Sequence, residues 1–154
     1  MEIRKLSSPE LPLLTQLFDY NDPEDMIKQN TRDIETGAAD IFVVFDGDFP
    51  VGELHAAYIS EDGRAEKGKR AYLFAFRIRD GHQGRGLGRR LLKYVINELE
   101  KQGYREFTVG VEDDNERAKH IYRSFGFTGF LARKYEEFQG DRYGYGLYLR
   151  RNKQ

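Results

Sequence analysis

The spacing of apolar residues changes several times along this chain, and each change marks an element. Met1–Leu6 alternates as a short first strand. Ser8-Pro9-Glu10 predicts a helix start, with Ser8 as the cap and Pro9 just inside. Leu11, Leu14, Leu17 and Phe18 then recur at helical spacing to about Tyr20. Asn21-Asp22-Pro23 breaks that run, and Asp22 caps a second helix carrying Met26, Ile27 and Ile34 that ends at Gly37. Ile41–Phe45 reads as a buried strand, closed by Asp46-Gly47-Asp48 and paired as a hairpin with Val51–Ile59. A polar loop, Glu61–Lys69, leads to a strand over Ala71–Arg79. Strict alternation there puts Tyr72, Phe74, Phe76 and Ile78 on one face and Leu73, Ala75, Arg77 and Arg79 on the other.

The second half is patterned more strongly. Leu87, Leu91, Leu92, Val95, Ile96 and Leu99 form one helical stripe that stops at Gly103. Phe107, Val109 and Val111 alternate as a strand, followed by the turn Glu112-Asp113-Asp114-Asn115. Ala118, Ile121, Tyr122 and Phe125 share a face of a short helix ending at Gly126, and Phe127–Tyr135 and Tyr143–Arg150 read as two closing strands. The predicted order is β-α-α-β-β-β-α-β-α-β-β, an α/β layout with a mixed sheet rather than uniform βαβ winding.

Composition narrows the class. The chain has 154 residues, which suits a single domain over 1–154, and 39% of them are hydrophobic. A net charge of −1 argues against a polycation that seeks nucleic acid. The absence of Cys excludes disulfides, cysteine-based zinc sites and a thiol nucleophile. His55, His82 and His120 have no metal-ligand spacing, so no metal is expected. The N-terminus lacks the apolar core of a signal peptide and no apolar run is long enough to span a bilayer, so the expectation is a cytoplasmic protein with no membrane partner.

The candidate chemistry lies in Phe76-Arg77-Ile78-Arg79-Asp80-Gly81-His82-Gln83-Gly84-Arg85-Gly86-Leu87-Gly88, where a strand feeds a glycine-rich turn that opens the long helix. Such a turn leaves backbone N–H groups free at the positive end of a helix dipole, an arrangement that holds phosphates. Two phosphate motifs fail on spacing. Counted from Gly84, the last glycine of G-x-G-x-x-G would fall on Arg89. Counted from Gly81, the G-K-[ST] of a triphosphate loop meets Gly86-Leu87-Gly88.

What does fit is Gln83-x-x-Gly86-x-Gly88, which resembles the acyl-coenzyme A signature of the GNAT acetyltransferase superfamily. Asn115-x-x-Ala118-x-x-x-Tyr122-x-x-x-Gly126-Phe127 resembles that family's second block, and the order of elements is similar over nearly the whole chain. The resemblance implies a GNAT-like fold and an enzyme that moves an acetyl group from acetyl-CoA to a primary amine, without a covalent enzyme intermediate. It implies that the backbone of Gln83, Gly84, Arg85, Gly86, Leu87 and Gly88 cradles the pyrophosphate. The main chain of Phe76 and Ile78 would pair with the pantetheine arm, and the Ile78 N–H would stabilise the oxyanion. Asn115 would contact the same arm, and Tyr122 would be the general acid that protonates the departing thiolate. Without the resemblance, Gln83 reads as a loop-bracing amide, Asn115 as a helix cap and Tyr122 as core.

The general base is open among Glu53 and His55, two apart on one strand face, and Glu112. His82 and His120 read as exposed. Arg77, Arg79, Arg85, Arg89, Arg90 and Lys93 read as one basic cluster around the turn. The expected partner is a small-molecule or peptide amine. The alternative is a coenzyme A-binding sensor module without chemistry. The tyrosine-rich closing strands also suggest pairing between two chains, as a homodimer.

Overall fold

The computed structural model describes residues 1–152. Within them the order is β1 (Glu2–Lys5), a 3₁₀ helix (Ser8–Gln16), α1 (Pro23–Thr36), β2 (Ala39–Asp46), β3 (Phe49–Ala57), β4 (Arg70–Ile78), a short 3₁₀ turn (Asp80–His82), α2 (Leu87–Lys101), β5 (Glu106–Glu112), α3 (Glu116–Ser124), β6 (Gly129–Phe138) and β7 (Asp141–Arg151). One sheet joins the strands in the order β1-β2-β3-β4-β5-β7-β6. The β4–β5 pairing is parallel and the others are antiparallel, as expected for a mixed sheet.

Both faces of the sheet are covered. Phe42 and Val44 of β2 pack under α2, whose six predicted apolar residues are all buried. Ile41, Val43 and Phe45 face the other way, onto Leu6, Leu11, Leu14 and Leu17. Burying each such side chain is worth roughly 1.5–3 kcal/mol, so the two alternating sets clamp β2 between two cores.

Three expectations change. The first helix is a 3₁₀ helix, not an α-helix, and ends at Gln16 rather than near Tyr20. Pro12 lies inside it, and a proline ring removes an N–H and crowds the carbonyl four residues back. Its cap is Ser7, one residue earlier than predicted, with Glu10 accepting from the Ser7 N–H and Oγ at 3.0 Å each.

The second change is in β4. Ala75 takes φ +51°, and the β3–β4 register shifts between Glu53 and His55. This bulge breaks the alternation. Ala71 and Leu73 lie in the core beneath α2, and beyond the bulge Phe76 and Ile78 pack against that same core. Tyr72, Phe74 and Arg77 belong to the opposite face, where Phe74 meets His55 and Arg77 meets Glu53.

Third, part of the basic cluster is taken up by separate partners. Arg77 stacks on Phe18, Arg79 on Phe49, and Arg89 bonds Ser124 Oγ at 3.0 Å.

The closing hairpin also differs from a free pair of strands. β7 is internal, bonded to β5 on one side and β6 on the other, so only β6 forms that edge. Phe130, Leu131 and Tyr135 of β6 are exposed, while Tyr145, Leu147 and Leu149 of β7 are buried.

Candidate active site

The bulge at Ala75 creates the site. β4 and β5 pair only from Arg70–Leu73 against Glu106–Val109. Beyond Leu73 the two strands part, and a cleft of about 1030 Å³ opens between them. In the antiparallel ladder with β3, Arg79 N–H donates to Val51 O at 2.8 Å. By alternation Arg77 is also directed at β3, and Phe76 and Ile78 turn their N–H groups toward the gap.

At one end of the cleft stands the N-terminus of α2. Its cap is Gly86 at φ +76°, with no side chain capping the first turn. Gly84 precedes it at φ +80°. Both values are ones that non-glycine residues adopt only with strain, and together they aim the open N–H groups of the first turn outward. Gly88 has a different task. It lies against β4, where an added Cβ would stand 3.4 Å from Phe76 Cζ. Gln83 Nε2 donates to Ile78 O at 3.0 Å and to Asp80 Oδ1 at 3.3 Å, so this amide braces the loop to the end of β4.

Tyr122 lines the cleft, its ring packed against those of Phe76 and Phe127 at 6.2 and 5.5 Å between centroids. Burial pushes its phenol well above the usual tyrosine range, so it holds its proton throughout neutral and moderately alkaline pH. Asn115 caps α3, accepting from Ala118 N–H at 3.0 Å, and also lines the cleft.

Of the predicted site residues, Phe76, Ile78, Gln83, Gly84, Gly86, Leu87, Gly88, Glu112, Asn115 and Tyr122 converge on this cleft. Arg85 is exposed and is not part of the lining. Glu53 also stands apart from the lining. It is fully buried, its Oε1 2.6 Å from His55 Nε2 and 3.3 Å from Arg77 Nη2, and Tyr20 Oη donates to its Oε2 at 3.4 Å. His55 is engaged in the same cluster. His82 is only partly exposed, 3.4 Å from Asp46 Oδ2, whereas His120 is exposed as expected.

The far wall was not singled out by sequence. Tyr72 and Phe74 stack with ring planes 7° apart. Glu136, which also lines the cleft, accepts from the hydroxyls of Tyr145 and Tyr143, both at 2.8 Å, which holds its carboxyl below the usual range. The tyrosine-rich closing segment was the available signal, but its aromatics suggested an interface between chains rather than a wall of the site. Among the described residues, no group of His, Asp or Glu has metal-site geometry and no helix is long and apolar enough to cross a membrane.

The model of the acetyltransferase (GNAT) family matches residues 2–127. The chain belongs to that family. Among its relatives is the L-amino acid N-acyltransferase MnaT of Escherichia coli, 38% identical over 50 residues; the match covers 32% of this chain and 29% of the relative. The chain therefore aligns with under a third of that relative's length. A ribosomal-protein-alanine N-acetyltransferase from Brucella melitensis superimposes with a TM-score of 0.79 over 99% of this chain and 100% of the other, at 17% identity. yncA of Salmonella typhimurium, solved with its cofactor acetyl-CoA, superimposes with a TM-score of 0.74 over 97% and 92%, at 19% identity. At these identities the structural matches establish the GNAT fold.

Proposed function

We propose that this chain transfers an acetyl group from acetyl-CoA directly to a primary amine, with both substrates bound together. The observation that carries this reading is the cleft itself. It runs from a helix start with no side-chain cap to a protonated, half-buried phenol, past a stretch of β4 whose N–H groups lack a facing strand. Acetyl-CoA fits that sequence of groups and supplies the activated acyl group. The N–H groups at the start of α2 would bind its pyrophosphate, and the β4 main chain at Phe76 and Ile78 would hold the arm. The Ile78 N–H is available to the acyl carbonyl, and Tyr122 would hand its proton to the leaving sulfur.

Glu112 is the better base of the carboxylates considered. It is exposed, lines the cleft and is free to take a proton from the amine, directly or through water. Glu53 is committed to His55, Arg77 and Tyr20. The acceptor class follows the relatives only in outline: MnaT is named for L-amino acids, and the Brucella enzyme for an alanine of a ribosomal protein.

Calorimetric titration with acetyl-CoA, coenzyme A and NADH tests the cofactor, and thiol release against an amine panel tests the chemistry. Binding of both coenzyme A species with thiol release is the expected result. Binding without release from any amine would favour the sensor alternative, and no binding would overturn the reading of the glycine turn.

A further inference from the structure

One guanidinium enters the cleft from the sheet face away from α2, held from behind by a buried carboxylate. Arg77 lies between Phe76 and Ile78, but its side chain is on the opposite sheet face from α2, away from the helix start that suits the cofactor phosphates. Its guanidinium carbon lies 3.7 Å from the Phe18 ring centroid and 5.7 Å from that of Tyr20. Its side-chain hydrogen bonds are both made by Nη2, to Tyr20 Oη at 3.2 Å and Glu53 Oε1 at 3.3 Å. The side chain is still 40% exposed, and both Arg77 and Phe18 line the cleft.

Glu53, by contrast, is 0% exposed. A buried carboxylate is costly unless it is paired and hydrogen-bonded, and such an ion pair rarely adds net stability over an apolar core. What this one does is geometric. It holds Nη2 while the guanidinium lies over Phe18; Nε is buried without a partner, so the donors left for an anion from the cleft are those of Nη1.

We propose that Arg77 recognises the acceptor, and that the acceptor carries a carboxylate beside its amine, as a free α-amino acid does. Glu53 is the positioning residue. This rests on the transferase reading above and selects among its acceptors. Arg77 is next in sequence to the residues whose N–H groups face the acyl position, so an amine and a carboxylate on one carbon can meet both. A simple alkylamine offers nothing to the guanidinium. A peptide N-terminus offers a neutral amide in place of the carboxylate. Glu136, another carboxylate of the cleft lining, is already engaged by two tyrosine hydroxyls.

The test is thiol release by the wild-type protein on L-amino acids, each paired with its own carboxamide and with the decarboxylated amine. Acetyl-CoA binding is followed by calorimetry in the same preparation. We expect kcat/KM for the acid to exceed that for its amide by about 10- to 100-fold, the range for a charged hydrogen-bonded contact. Arg77→Met should bring that ratio toward one with acetyl-CoA affinity kept. Glu53→Gln should raise KM for the acid more than it lowers kcat. Equal or better use of the amides would overturn the role of Arg77 and leave the transferase intact. Acetyl-CoA binding with no member of any pair acetylated would also overturn it. Loss of acetyl-CoA binding in the wild type would instead remove the transferase reading beneath it. The wild-type comparison needs no variant, so a folding defect in Glu53→Gln cannot mask the answer.

Discussion

Single side chains carry the chemistry, and two of them allow direct tests. Tyr122 is half-buried in the cleft wall against Phe76 and Phe127, and desolvation raises its phenol above the usual tyrosine range. Tyr122→Phe preserves that packing and removes the proton. It should lower kcat by about 100-fold, within the usual range for a general acid, while calorimetry gives an unchanged acetyl-CoA affinity. Equal turnover across pH would remove the assignment. Glu112→Gln should lower kcat/KM at neutral pH and be partly compensated at higher pH, where more of the amine is already unprotonated; a flat ratio of wild type to variant across pH would speak against Glu112 as base. A third test concerns stability. The hydrogen bond from Arg4, then that from the Ser7 backbone, lowers the Glu10 carboxyl from 4.5 to about 2. A depressed carboxyl contributes stability that is fully present above its unfolded value and fades as pH falls toward its folded one. The melting temperature of the wild type should therefore fall between about pH 5 and 2 by more than that of Glu10→Gln. Parallel melting curves over that window would show that the pair is inert.

At the level of elements, the turn into α2 and the bulge in β4 define the site together. Gly86 has positive φ and caps a helix whose first turn has no side-chain cap. Gly86→Asp would strain the backbone and set a negative charge where the phosphates are expected. Acetyl-CoA affinity should fall below calorimetric detection while the melting temperature shifts only modestly; unchanged affinity would remove the phosphate reading. On the same helix Leu91 is fully buried, so Leu91→Ala should cost about 2–5 kcal/mol in chemical denaturation. The sequence made α2 legible because its stripe, its glycine entrance and its stop at Gly103 agree. It did not make the 3₁₀ helix or the bulge legible. Leucine spacing over Leu11–Leu17 fits either helix type, and Pro12 tips the balance. Alternation over Tyr72–Ile78 is uninterrupted in the sequence, and Ala75 is not a residue that announces positive φ.

Across the whole molecule, one sheet carries a core on each face, and β2 belongs to both. Neither core stands alone. Unfolding should be one cooperative event, with near- and far-ultraviolet circular dichroism giving coincident denaturant transitions; two resolved transitions would show that the 3₁₀ helix and α1 side melts separately. By itself the sequence determined the α/β class, the helices and strands of the second half, the glycine turn and the positions of Asn115 and Tyr122. Those features are encoded locally, in periodicity and in residues suited to particular backbone angles. Tertiary structure alone decided the rest. Which strand is internal, where β4 leaves β5, and that Glu53 lies behind Arg77 rather than in the cleft all depend on pairing between segments far apart in the chain. A one-residue bulge exchanges the two faces of a strand, and no local pattern records which face that leaves toward the site.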